Sequence, residues 1–294
     1  QPRFSRPAGH VQAAAAVGAK GSVVVLTQAV VLGPWFWLRV RAATGVCFAS
    51  LYMISGSWRN EMSSNEDRGM VFSVYTIIQL TVITLGQLML VLDEPTQFPL
   101  FSVASALISL SAVPLALTRA SVPRPIEAVA IDFRSLYRTA PIGTIGCMVV
   151  GLTNGAFWSL APLFVQTGGG DTQQVALFMS TAIFGGAIGQ WPIGRLSDRI
   201  DRRIVVQLTS LGAVLAGVSL AWATTASAEL VLLGGFAYGF FSFPLYTVCV
   251  AHTNDFVTPD GYVQAASGLL LVYAIGAVGG PLLASTLMSN SGHP

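Results

Sequence analysis

The sequence predicts an all-α polytopic membrane protein, and three observations carry that prediction. Charge is scarce and apolar side chains abundant: 10% of residues are Asp, Glu, Lys or Arg and 53% are hydrophobic, where a soluble domain carries about 25% charged residues. The apolar residues gather into nine uninterrupted runs of roughly 20 residues, the length a helix needs to cross the hydrocarbon core at about 1.5 Å per residue. Basic residues fall between those runs, and only in alternate connections. Unbroken runs of this length fit helices; they do not fit the ten-residue alternation of a membrane barrel.

Taken in order, the first span covers residues 11 to 32 and holds Lys20, and the second, 35 to 57, holds Arg39, Arg41, Cys47 and Tyr52. The third runs from 69 to 91 with Gln79 and Gly86, and the fourth from 98 to 117, ahead of a long basic connection. The fifth, 141 to 166, carries Cys147 and, one turn apart, Asn154 and Trp158. Gly185, Gly186 and Gly189 mark the sixth, 173 to 194, and the seventh spans 203 to 224. The eighth, 229 to 251, holds Tyr238, Tyr246 and Cys249 and ends at His252; the ninth, 264 to 288, holds Gly276, Gly279, Gly280 and Pro281. Glycines of this density permit close helix contact. The three cysteines read as buried, inert thiols, with no disulfide and no metal site suggested.

Twelve of the fifteen Lys and Arg lie before the first span or after the second, fourth and sixth, whereas the opposite connections hold only Asp93, Glu94, Asp171 and Glu229. Basic connections face the cytoplasm, so the N-terminus is expected inside and residue 294 outside. The net charge of +2 is thereby a topology signal and gives no reason to expect nucleic acid as a partner.

The densest of these connections is Gly194-Arg195-Leu196-Ser197-Asp198-Arg199-Ile200-Asp201-Arg202-Arg203. It resembles the signature loop of the major facilitator superfamily, Gly-x-Leu-x-Asp-Arg-x-Gly-Arg-Arg: Gly194, Leu196, Asp198, Arg199, Arg202 and Arg203 match, and Asp201 stands where that pattern has glycine. Arg41-Ala42-Ala43-Thr44-Gly45 looks like the arginine and glycine motif of the family's fourth helix. Asp67-Arg68-Gly69 together with the loop is similar to a bacterial branch whose substrates are mostly unassigned; Gly56 stands where many members of that branch have glutamate.

An internal repeat agrees with the resemblance. Gly45, Leu51 and Tyr52 recur 194 residues later as Gly239, Leu245 and Tyr246, and nearby matches follow at almost the same offset. This pairs the first three spans with the last three in the same orientation, the relation between the halves of a major facilitator transporter. Extending that register, the nine spans look like helices 3 to 11 of 12 in a two-domain helical bundle incomplete at both ends. Residues 1–117 form an N-terminal half lacking its first two spans, 118–140 a cytoplasmic linker, and 141–294 a C-terminal half lacking its last.

Candidate roles follow. In the loop, Asp198 stands a few residues before the seventh span, where a helix N-terminus favours an acid; either the loop latches one conformational state, or its arginines are topogenic and Asp198 is a cap. Arg41, about two turns into its span, either faces a central cavity or snorkels like Arg39. Lys20 either pairs with a carboxylate elsewhere or is tolerated. Tyr52, Gln79, Asn154, Trp158, Tyr238 and Tyr246 are the remaining cavity candidates, with helix-to-helix bonding as the other reading of Asn and Gln. Asp255 reads as solvated and His252 as interfacial.

No Gly-x-x-x-x-Gly-Lys loop, reactive constellation or metal-ligand cluster is present, so neither an ATP-driven pump, an enzyme nor a cofactor is expected. The third span has only Gly86 where drug antiporters of the superfamily carry a longer glycine and proline motif. The resemblance implies a multi-pass protein of the bacterial inner membrane, carrying a small organic solute by alternating access, with protons among its possible partners besides the lipid bilayer. The alternative is a non-transporting membrane receptor or a transporter remnant. An aromatic, weakly polar lining suits an amphiphilic solute better than a sugar phosphate.

Overall fold

The computed structural model describes residues 8–31, 33–62, 68–93, 98–117, 132–223, 227–258 and 261–291, except for the side chains of 8–17, 52–62, 68–73, 112, 114–117, 223, 262, 263 and 291. The described residues are almost entirely helical: α1 (Ala8–Val30), α2 (Pro34–Met62), α3 (Arg68–Leu88) with a 3₁₀ turn at Met89–Val91, α4 (Phe98–Leu117), α5 (Phe133–Thr139), α6 (Pro141–Thr167), α7 (Thr172–Ser197), α8 (Arg202–Ala223), α9 (Ala228–Ser242), α10 (Leu245–Asn254) and α11 (Tyr262–Ser291). Among the described residues, five segments are long and apolar enough to cross a membrane: Val74–Val91, Pro141–Thr167, Arg202–Trp222, Ala228–Asn254 and Gln264–Asn290. The nine expected spans also count α1, α2, α4 and α7; of these, α4 has a shorter apolar stretch, Phe98–Ser111, among the described residues. α5 lies inside the stretch read as a linker.

The chain divides into two compact units, Gln1–Gln79 with Met89–Ile126, and Leu80–Leu88 with Glu127–Pro294. In the first, α1 packs on α4 and α2 through small and polar groups. The Ser105 hydroxyl donates to the Ser22 carbonyl at 3.0 Å, and the Gln28 amide donates to the Thr44 hydroxyl at 3.3 Å. All four of these side chains are buried, while Val23, Val46 and Leu107 face outward.

In the second unit the principal pairs are α6 with α11 and α7 with α9, joined by α8 and α10. Glycines hold both pairs at backbone contact. A Cβ on Gly185 would meet the Phe236 carbonyl, one on Gly189 the Phe240 carbonyl, and one on Gly239 the Ala182 carbonyl. Across the other pair, Gly151 lies against Tyr273, Gly155 against Ala277, and Gly280 against the Leu152 carbonyl. Contacts of this kind recur at tight helix crossings, where Cα–H groups approach carbonyl oxygens. The outward sides of α8 and α11 are apolar: Leu208, Leu211, Leu215 and Trp222 on α8 and Ile275, Val278 and Leu282 on α11 are exposed.

The eighth span is not the uninterrupted helix that its hydropathy predicts. It breaks at Phe243-Pro244, between α9 and α10. Pro244 has no N–H, so the Phe240 carbonyl loses its helical donor. Both residues keep right-handed helical torsions, φ −70° with ψ −34° and φ −70° with ψ −17°, so the span bends without turning back. The freed Phe240 carbonyl is the one that lies against Gly189.

If glycine contacts hold α7 to α9, one methyl group at Gly239 should loosen them. Gly239→Ala is expected to lower the thermal midpoint of the purified protein by an amount equivalent to about 1–3 kcal/mol, the range for overpacking. Gly217→Ala, with nothing within 4 Å of the added carbon, should leave the midpoint unchanged or raise it. Equal midpoints for the two variants would contradict the packing assigned to Gly239.

Candidate functional site

Two constellations emerge in the second unit: a charged clasp at the α7–α8 turn and a polar, aromatic seam halfway along the long helices. The clasp follows from helix ends. α7 continues through Ser197 and ends on Asp198, which has αR torsions of φ −85° and ψ −11°. Asp198 therefore closes the C-terminus of α7, whereas the sequence suggests an acid serving the N-terminus of the next helix. Asp201 takes the place at the head of α8: its carboxylate accepts from the Arg203 N–H at 2.9 Å. Since no described non-glycine residue has a positive φ, this turn has no need of the family-pattern glycine that Asp201 replaces.

Arg202 joins the parts. Its guanidinium donates to the Ser197 carbonyl at the end of α7 and to the Ala251 carbonyl near the end of α10. It also pairs with Asp198 at 3.4 Å and with Asp255 at 2.9 Å. One cation thus serves two helix C-termini, where unpaired carbonyls and the macrodipole favour positive charge. Asp255, read from sequence as solvated, is a partner in the clasp. Arg203 lies over the Phe256 ring at 5.8 Å, and that ring meets buried His252 edge-on at 5.1 Å. Gly194 and Leu196 supply carbonyls that accept from Asp198, Arg199 and Ile200, and the Arg199 side chain is exposed.

The seam is built by register. Asn154 is the fourteenth of the 27 residues of α6, and Ser242 stands near the middle of Ala228–Asn254. Their side chains meet at mid-length: the Ser242 hydroxyl donates to Asn154 Oδ1 at 3.3 Å, and Asn154 Nδ2 donates to the Tyr273 hydroxyl of α11 at 3.4 Å. Asn154 and Ser242 are buried, so each needs these partners. Beside them Tyr238 stacks on Phe157 at 4.9 Å, Trp158 stacks on Phe243 at 5.8 Å, and Tyr246 meets Tyr273 edge-on at 5.1 Å. A groove of about 280 Å³ adjoins the seam, with Thr153, Ser210, Tyr238, Ser242 and Cys249 on its walls. A larger cavity of about 400 Å³ lies elsewhere, at the Gly168–Gly170 turn, among mostly apolar residues such as Phe164, Leu177 and Leu232.

The structure thus brings together four cavity candidates, Asn154, Trp158, Tyr238 and Tyr246, and adds Phe157, Ser242, Phe243 and Tyr273, which the sequence reading passed over. Pro244 was the available signal, because a proline inside an apolar span marks a bend. In the first unit Arg41 is exposed with its guanidinium 5.9 Å from the Trp37 ring centroid, and Gln79 is half-buried on α3. Tyr52 lies on α2 with its side chain outside the described residues. Lys20 and Arg39 are exposed. The repeat-related glycines differ: Gly239 is packed against α7, whereas nothing stands within 4 Å of a Cβ on Gly45. Cys147 and Cys249, unpaired by spacing, share one buried cluster.

Comparison with known proteins agrees with this architecture. The family profile described as Major Facilitator Superfamily matches residues 13–281. The uncharacterized MFS-type transporter YcaD of Escherichia fergusonii is 28% identical over 261 residues, covering 88% of this chain and 67% of the relative; YcaD of Escherichia coli is 27% identical over the same length. A crystal structure of a bacterial homolog of the human lysosomal transporter Spinster, inward-facing and unoccupied, superposes with TM-score 0.76 at 16% identity over 96% of this chain and 70% of that one. Its inward-facing, occupied form gives 0.71 over 94% and 66%. The chain belongs to the major facilitator superfamily of membrane transporters.

Two substitutions separate the parts of the clasp. Arg202→Gln removes a cation that serves four groups and is expected to destabilise the protein by about 1.5–3 kcal/mol, the range for hydrogen bonds to charged groups. Asp198→Asn touches a carboxylate that is 73% exposed, a setting in which ion pairs contribute about 0–1 kcal/mol. Thermal unfolding of both variants checks the order, and a larger loss for Asp198→Asn would overturn it.

Proposed function

We propose that this transporter carries a small amphiphilic organic solute by alternating access across the bacterial inner membrane, with the seam as part of its binding surface. The observation that carries the reading is the buried Asn154–Ser242–Tyr273 node, set halfway along its helices beside two aromatic stacks. Solute sites of such transporters lie near the bilayer midplane, at broken helices, and Pro244 interrupts its span two residues after Ser242. Ring faces at Trp158, Tyr238 and Tyr246 suit apolar or planar parts of a solute, while the Asn, Ser and Tyr groups orient a few polar atoms. The seam itself contains no charged side chain, which favours a solute without strong charge.

In the same reading the arginine-bearing ends, including the N-terminus and the loop from Gly194 through Leu196, Asp198, Arg199, Arg202 and Arg203, face the cytoplasm. The loop serves as a gate latch. Its bonds are individually modest and partly exposed, so they can break and re-form, whereas the glycine-packed pairs move as rigid bodies. Arg41, Tyr52 and Gln79 are the solute-contact candidates carried by the first unit.

The test is uptake by proteoliposomes holding the full-length protein, screened with aromatic amphiphiles and, for contrast, a sugar phosphate. Saturable uptake is expected for an amphiphile and not for the sugar phosphate. Asn154→Ala, which leaves Ser242 and Tyr273 without their partner at about 1–3 kcal/mol, should raise the half-saturating concentration about tenfold or more. Uptake indifferent to Asn154→Ala and Trp158→Ala in folded protein would remove the seam from the solute path.

A further inference from the structure

The short helix α5 has no part in the transport reading, and its four flanks differ in kind. Leu136 is its buried residue and packs with Cys147, Cys249, Ala265 and Leu269. At about 3.6 residues per turn, Phe133 and Tyr137 share the next flank, Arg134 and Arg138 the one beyond, and Ser135 and Thr139 the last. Both aromatic residues are exposed, at 42% and 52%, as are both arginines. The nearest acid on the helix is already engaged: Asp132 caps α5 by accepting from the Arg134 and Ser135 N–H groups at 3.0 Å. Among the described residues the ion pairs are those of Arg202 with Asp198 and Asp255, so Arg134 and Arg138 have no acidic partner there.

Where α5 stands is set by α6. With 27 residues at about 1.5 Å each, α6 is about 40 Å long, the thickness of a bilayer including its headgroups. Ala140 alone separates the two helices, and its non-helical torsions, φ −140° and ψ 73°, turn the chain between them. α5 is thereby held at headgroup level, with an aromatic flank of the kind that settles at the edge of the acyl chains and a cationic flank beside it.

We propose that α5 is an anchor for anionic phospholipid, with Arg134 and Arg138 engaging the phosphate of one headgroup and Phe133 and Tyr137 resting on its acyl chains. This rests on the membrane placement of α6 given above and is independent of the solute. An arginine near an anionic surface contributes an attraction equivalent to about a fivefold change in affinity, and two on adjacent turns act on the same phosphate.

Native mass spectrometry of the whole chain in detergent, titrated with phosphatidylglycerol or with phosphatidylcholine of the same acyl chains, measures the preference. The wild type should favour phosphatidylglycerol. Arg134→Gln with Arg138→Gln should weaken phosphatidylglycerol binding about tenfold or more and leave phosphatidylcholine binding unchanged, and lysine at both positions should restore most of it. Should the double variant fail to fold, Arg138→Gln alone is expected to weaken binding about fivefold. Undiminished phosphatidylglycerol binding by a folded glutamine variant would overturn the proposal. So would its displacement by millimolar inorganic phosphate, which would make this a site for the free ion. Labelling of Ser135→Cys, in a variant lacking Cys47, Cys147 and Cys249, from the outside of intact cells would refute the orientation and leave the lipid preference to be judged by the titration.

Discussion

Hydrocarbon offers helices no reward for burying apolar side chains against one another, because the surrounding lipid is equally apolar. What remains is close contact between backbones and the satisfaction of every polar group within the protein. This constraint accounts for the composition of the second unit. Glycines and alanines fill the α6–α11 and α7–α9 crossings, large aliphatic residues face outward, and Asn154, Ser242 and Tyr273 bond to one another in the interior, while the buried Ser180 hydroxyl stands without a partner. The first unit obeys the same rule with Ser22, Gln28, Thr44 and Ser105.

That constraint makes Pro244 informative. Removing one N–H from a span strands a carbonyl, tolerable only where a neighbour approaches, and the stranded Phe240 carbonyl has Gly189 against it. The bend then sets Ser242 opposite Asn154 and swings Phe243 under Trp158. Packing and the candidate site are therefore one arrangement. The clasp applies the same logic at the water boundary, where Arg202 satisfies the open carbonyls of two helix ends and the carboxylates of Asp198 and Asp255 add electrostatic support.

How much of this could be read beforehand depended on whether the information was local. Helix class and the loop motif were visible because hydropathy and charge are sequence-local quantities. Asn154, Trp158, Tyr238 and Tyr246 stood out as polar or aromatic residues in apolar runs. Their partners did not, because Ser242 and Tyr273 lie 88 and 119 residues from Asn154, and the register of α6 on α11 is set by glycine contacts between those distant segments. Asp255 was missed for the same reason, lying 53 residues from Arg202. Asp198 was placed at the wrong helix end because α7 runs on through Ser197 into the charged stretch, where average hydropathy falls although the backbone bonds continue. The bend at Pro244 escaped because hydropathy is blind to a missing N–H.

The central claim is that the solute binds against the seam, and covalent mapping tests it most directly. A diazirine analogue of a solute that shows saturable uptake, photolysed with the reconstituted protein and mapped by peptide sequencing, should mark α6 near Trp158 and the Phe243–Tyr246 bend. Excess unlabelled solute should suppress both marks. Suppressible labelling confined to other helices, with the seam unmarked, would contradict the account.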